Sequence, residues 1–197
     1  MAFQRLFSAG FLMCLFAVAS YAEENPLAKA SVGDWITYVS SMKLPDAVLA
    51  KIPAAMREKL GDRKMEMRRE VIKKTDTEIT FENTTKTMGR DVKNTYTVDL
   101  TKKFEPHQNM QKKDAKVKEL GNGTETVSVN DKNYETKWIE YEFTYTERGS
   151  DHTGNSKIWF SPEVPLGGMV KMEMDANTLQ GGSVKMSWAL QAFGNGK

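Results

Sequence analysis

Hydrophobic and polar residues alternate with a period of two along most of this chain, the mark of strands that press one face on a core. The pattern opens at residues 32–42, V-G-D-W-I-T-Y-V-S-S-M. There Trp35, Thr37 and Val39 share one side, and Ile36, Tyr38 and Met42 the other. After Arg63, Met65, Met67 and Val71 alternate; Ile79 and Phe81 share a side of 78–87; Val92, Tyr96, Val98 and Leu100 line the next strand. Tyr134 to Thr146 is predicted to be the longest strand. Its row Ile139, Tyr141, Phe143 and Tyr145 is aromatic or aliphatic throughout. The other row, Tyr134, Thr136 and Trp138, turns charged at Glu140 and Glu142, so that face meets water along half of the strand. Strands at 156–161, 169–175 and 183–190 complete the set. Val170, Met172 and Met174 are in register in one, and Val184, Met186, Trp188 and Leu190 in another.

Breaks in the alternation supply the connections. K-K-T-D-T (73–77), M-G-R-D (88–91), G-N-G (121–123) and N-D-K-N (130–133) read as turns, and R-G-S-D-H-T-G-N (148–155) as a loop. Residues 103–116 have no firm period. Glu23 to Lys29 reads as a loose leader and the terminal F-G-N-G-K as a frayed end. Residues 44–61 change period: Val48, Ile52, Met56 and Leu60 recur every four residues, one face of a helix. Pro53 interrupts that face and Gly61 stops it. The expected architecture is mainly β. It is a single curved antiparallel sheet of eight to ten strands, half-barrel-like, with a short helical insertion on its concave side, all in one domain over residues 23–197.

The first residues lie outside this pattern. Arg5, the apolar run Phe11 to Val18 and the small residues of Ser20-Tyr21-Ala22 form an export signal cleaved after Ala22. The run is too short to span a bilayer, and no later run replaces it. The chain's one cysteine, Cys14, leaves with the signal, and Met13 before it does not suit lipidation. The exported domain therefore relies on its core and not on disulfides. The expected compartment is the periplasm, with the extracellular space as the alternative. With 28 Lys and Arg against 26 Asp and Glu, dispersed along the chain, the charge excludes a nucleic-acid partner.

The stretch W-F-S-P-E-V-P-L-G-G-M-V-K, 159–171, has two prolines three residues apart and a glycine pair. Pro162 and Pro165 restrict their own backbone and that of Ser161 and Val164, giving a rigid extended corner before a hairpin strand. Trp159 and Leu166 are its candidates for touching a ligand. This stretch resembles the W-x-S-P-x-V-P-x-G-G-x-V-K signature of small exported bacterial proteins. Val32, Gly33, Asp34, Trp35 and Tyr38 match those proteins' V-G-D-W-x-x-Y element, and N-D-K-N-Y (130–134) is similar to their hairpin element. Many of them carry a cysteine where Thr136 and Lys137 stand here. The resemblance leaves 43–123 poorly matched, and it implies export but no reaction. In element order the chain also resembles the periplasmic lipoprotein-carrier fold, an analogy of architecture.

Candidate chemistry is sparse. His107 and His152 both fall in predicted loops, there is no H-E-x-x-H, and D-H at 151–152 reads as a solvated turn. Twelve methionines are many for this length, and M-x-M occurs at 65/67 and 172/174. Thioethers suit Cu(I), with His107 and Met110 as further ligands, but alternate methionines are also what a soft core produces. Glu140, Glu142 and Glu163 are the carboxylates an enzyme acting on carbohydrate would need to gather. Neither metal chemistry nor catalysis is the favoured reading, and no cofactor is implied. The favoured reading is noncatalytic binding of an apolar or lipid-like ligand or of an envelope protein partner, with a structural envelope protein as the alternative. The expected lining is Ile52, Met56 and Leu60 from the helix with Met65, Met67, Trp159, Leu166, Met172, Met174 and Trp188 from the sheet.

Overall fold

A computed structural model describes residues 25–53, 64–87, 90–105, 115–147, 150–177 and 182–196. Nine strands among these form one antiparallel sheet. They are β1 (Trp35–Lys43), β2 (Lys64–Lys74), β3 (Glu78–Thr87), β4 (Arg90–Asp99), β5 (Lys116–Val129), β6 (Lys132–Glu147), β7 (Ser150–Phe160), β8 (Met169–Asn177) and β9 (Ser183–Gly194). Their order is β4-β3-β2-β1-β9-β8-β7-β6-β5. Every ladder joins sequential strands except β1–β9, so the order is that of an up-and-down barrel left open between β4 and β5. The sheet curls until β5 comes near β8 and β9, which are not its ladder partners.

The predicted strands and their buried sides hold, except that Val92, near the edge strand's start, is 55% exposed. Ile36, Tyr38, Val71, Ile79, Phe81, Ile158, Val170, Met172 and Leu190 are each 4% exposed or less, and they belong to a single core cluster. The opposite face carries Thr80–Thr97, Lys86–Glu66 and Lys93–Glu82 pairs, the threonines and charges of a solvated sheet. β6 is the longest strand, and its buried side changes midway as its sequence indicates. Tyr134 and Thr136 are buried beside the hairpin, Tyr141 and Phe143 further on, where Glu142 is exposed. N-D-K-N is a two-residue hairpin with Asn130 (φ 50°) and Asp131 (φ 60°) both left-handed, the twist a tight antiparallel turn requires.

Four local expectations are corrected. G-N-G does not turn the chain: β5 runs unbroken from Lys116 to Val129, with a bulge at Leu120 between Glu119 and Gly121. The glycines serve Trp138, whose ring would lie 2.8 Å from a Cβ at Gly123. Nor is 150–155 a loop. β7 starts at Ser150, and Gly154 is a strand residue beneath Phe143, opposite it in the ladder. His152 accordingly is half-buried and stacked on Tyr145 (5.0 Å between centroids, 9° between planes) instead of solvated in a turn. From Asn25 on, the leader is not loose. Asn25 caps a 3-10 turn at Pro26–Lys29, which inserts Leu27 and Ala30 into the core. Lys74 Nζ ties this segment to β2 by donating to the Ala28 and Ala30 carbonyls at 2.6 and 2.7 Å. At the other terminus β9 stays paired to its end, Gly194 opposite Trp35.

The proline-glycine stretch is more compact than an extended corner. Ser161 N–H donates to the Gly168 carbonyl at 2.8 Å, closing the loop on itself. Leu166, Gly167 and Gly168 all have positive φ (55°, 97°, 75°). A leucine there costs on the order of 1 kcal/mol, and burial of Leu166 against the core offsets it. Phe104, from the chain crossing between β4 and β5, approaches Gly167 beside Leu27. Leu27, Phe104 and Leu166 thus gather at one end of the inner face. Of the predicted helix, one turn, α1 (Asp46–Leu49), is described, with no buried residue; Val48 and Ile52 are half-buried. Met56, Leu60, His107 and Met110 lie outside the described residues.

Candidate functional site

Residues directly opposed in an antiparallel ladder point to the same side. The registers therefore give lateral rows of side chains. One inner row runs Met65, Ser40, Trp188, Met172, Ile158, Ile139, from β2 to β6. The next row toward the packed end carries Met67, Tyr38 and Leu190. The next row away from it carries Met42, Met186, Met174, Ser156 and Tyr141. Burial is graded along this face. Ile36, Tyr38 and Leu190 are sealed, whereas Met42, Met65, Met67, Met174, Met186 and Trp188 are all half-buried. The thioethers and the indole thus form a continuous soft surface at the less filled end of the curled sheet.

Of the expected lining, Met65, Met67, Met172, Met174 and Trp188 come together on this face. Leu166 does not join them: it is built into the plug of Leu27 and Phe104. Trp159 points to the opposite side, since its ladder partners are Trp138 and Lys171. The two M-x-M pairs share a face but are three strands apart, about 14 Å at the usual strand spacing. They do not form one thioether ligand set.

Arg69 is the residue that sequence reading passed over. It follows Met65 and Met67 on β2, opposite Ile36 and Asn83, and so lies on the inner face. Its guanidinium stands 5.7 Å from the Phe81 ring centre and 5.6 Å from that of Tyr96, and its Nε donates to Asn83 Oδ1 at 3.3 Å. Burial pushes the phenols of Tyr38 and Tyr96 to higher pKa, with Arg69 pulling in the opposite sense on both. Tyr38 Oη donates to the Met169 carbonyl at 3.3 Å, but the Tyr96 hydroxyl is buried with no hydrogen-bond partner among the described residues. In sequence Arg69 is the second of an R-R pair on a charged strand. Only the alternation from Met65 could have marked it as inward.

The polar side carries a groove of about 400 Å³ across β6, β7, β8, β9 and β1. Glu140, Lys157, Glu173, Ser187 and Ser41 form one lateral row in it. Beside it Lys157 lies over both Trp138 (4.2 Å) and Trp159 (4.8 Å), and Lys171 over Trp159 (5.0 Å). Glu125 accepts from Lys157 Nζ at 2.9 Å and from Trp159 Nε1 at 2.5 Å, and these bonds lower its pKa. Lys171–Glu173 (2.7 Å) and Lys185–Asp175 (3.8 Å) are further ion pairs. The indole faces a sugar ring would stack on are thus taken by ammonium groups. Glu163 is held by Lys132 at 3.1 Å on the proline-glycine loop. Among the described residues no three His, Cys, Asp or Glu side chains group as a metal site.

No family model matches the chain, and no curated protein does. Among solved structures it is similar to an exported protein of Bacteroides fragilis with a YMCC-like fold. The TM-score is 0.50 at 11% identity, over 84% of this chain and 97% of that one. A tesB protein of Mycobacterium avium (TM-score 0.20, 7% identity, 84% and 82% covered) and a thioesterase II of Thermobifida fusca (0.19, 10%, 86% and 82%) are also similar. The first likeness bears on fold, and agrees with the resemblance to exported proteins; the other two are too low to carry any argument. No helix among the described residues is long and apolar enough to cross a membrane.

Proposed function

We propose that this is a noncatalytic binding protein of the periplasm, exported by its N-terminal signal, that holds an apolar or lipid-like ligand on the methionine-rich end of its inner face. The carrying observation is the run of half-buried Met65, Met67, Trp188, Met186 and Met174 on one side of a curled sheet. A face that served only as core would be sealed to its end, as it is around Ile36 and Ile158. Methionine and tryptophan make an adaptable apolar lining that accepts chains of varied shape. The exported Bacteroides fragilis protein of similar fold supports the compartment. The paired charges on the polar side favour a solvated surface over a catalytic cleft.

Native mass spectrometry of protein recovered from the periplasm, followed by solvent extraction, tests the reading. The expected result is a lipid-sized mass on the folded protein that leaves on extraction. A ligand-free mass under gentle conditions, with no uptake of long-chain amphiphiles added afterwards, overturns it.

A further inference from the structure

Arg68 and Arg69 are neighbours with opposite situations. Arg68, on the polar side, is paired to Glu70 at 3.0 Å and lies 4.2 Å from the centre of the Trp35 ring. Arg69, on the inner side, has Phe81 and Tyr96 rings beside it and one side-chain hydrogen bond, to a neutral amide. Among the described residues no carboxylate pairs with it. A guanidinium has five N–H donors, and a half-buried one with four uncommitted is an electrostatic cost unless an anion answers it. Close by, the buried Tyr96 hydroxyl is a second polar group with no partner among the described residues. Arg69 is two residues from Met67 on the same strand face, and Tyr96 lies one row further toward the packed end, in line with Phe81 and Val71.

We propose that Arg69 and the Tyr96 hydroxyl bind the anionic head of an amphiphile whose chain lies along Met67, Met65, Trp188 and Met174. The inference rests on the binding function proposed above and names its ligand class: a long-chain carboxylate or phosphate. Guanidinium and phenol donate to the head-group oxygens, and the planar fork of Arg69 suits either oxyanion bidentately. From the Arg69 row to the Trp188 row is four residues along the strands, roughly 13 Å. From β2 to β8 is three strands, roughly 14 Å. The diagonal suits an extended long acyl chain with its head toward the packed end.

Equilibrium dialysis at pH 8 with labelled palmitate, hexadecyl phosphate and neutral hexadecanol tests this on the whole exported protein. Wild type is expected to prefer at least one anion over the alcohol by tenfold or more; which anion separates a fatty-acid head from a phosphate head. Arg69→Gln should lower anion affinity by 10- to 100-fold and leave hexadecanol within twofold. Arg69→Lys should restore part of the loss, and Tyr96→Phe should cost a few-fold for the anions alone. Equal affinity of wild type for anion and alcohol overturns the head-group assignment and needs no variant. So does a variant that weakens all three ligands alike while its circular dichroism and melting stay native. In both cases the apolar-binding function stands. Failure of wild type to bind any of the three overturns both.

Discussion

Three strand glycines differ only in what an added methyl would meet, and alanine at each makes a graded test of the packing. At Gly121 the nearest atoms to a built Cβ are Trp138 ring carbons at 3.7 and 3.8 Å, ordinary contact. At Gly123 the Trp138 ring stands at 2.8 Å, but that indole is half-buried and can tilt. At Gly154 a Cβ would lie 2.4 Å from Phe143 Cζ and 2.6 Å from the Asp175 carbonyl oxygen, which belongs to the β8 ladder and cannot swing away. Gly121→Ala should therefore be neutral or stabilise by up to about 1 kcal/mol. Gly123→Ala should cost about 1 kcal/mol and Gly154→Ala about 3 kcal/mol, the upper end of core overpacking. With a urea m-value of about 2 kcal/mol/M, the Gly154 variant should lose about 1.5 M in midpoint at unchanged slope. A Phe143→Leu background should recover part of that loss and not all of it, because the carbonyl contact remains. Equal midpoints for the Gly121 and Gly154 variants, or a Gly154 shift below about 0.3 M, would refute the claim that aromatic rings are seated on these glycines.

Three further outcomes follow. The Glu125 pKa is lowered in the folded state by its bonds from Lys157 and Trp159, so its stabilisation is complete above the ordinary glutamate pKa and fades as pH falls through the lowered value. Glu125→Gln should flatten that acid-side decline in melting temperature between wild type and variant. The Tyr38 phenol is pushed up by burial, so the sign reverses: its contribution is whole below the unfolded value of about 10 and is lost as pH rises beyond it. Absorbance at 295 nm during alkaline titration should show a late phase coincident with unfolding, which Tyr38→Phe makes smaller, the buried Tyr96 still contributing to it. Asn130 donates to the Leu190 and Gln191 carbonyls at 2.8 and 3.1 Å. Asn130→Gly keeps the turn geometry and loses both bonds, at a cost of about 1–2 kcal/mol in urea unfolding.

Alternation made the sheet readable because strands half in water must alternate. Ile79 and Phe81, or Val184 to Leu190, show their inner side without knowledge of any neighbour. The hairpin at Asn130-Asp131 was equally open to reading, since only a few residue types tolerate two left-handed positions in a row. Glycine misled in the other direction. Gly121, Gly123 and Gly154 look like turns because the rings that need their space, Trp138 and Phe143, sit on other strands. Leu27 looked like leader because its partners, Phe104 and the loop at Gly167, are far along the chain. For the expected lining, parity alone put five of the sheet residues on one face. Trp159 was not, because hydrophobicity does not tell which side of β7 a residue occupies. Arg69 was hidden because a charged residue within a charged stretch signals solvent unless its ladder partner, Ile36, is known.

Among the described residues no ladder joins β4 to β5, so the sheet keeps two edges where a closed barrel would have none. The two edge strands can move relative to each other while all eight ladders stay hydrogen-bonded. Under the binding function proposed above, loading and unloading would cost bending of the wall and no breaking of it.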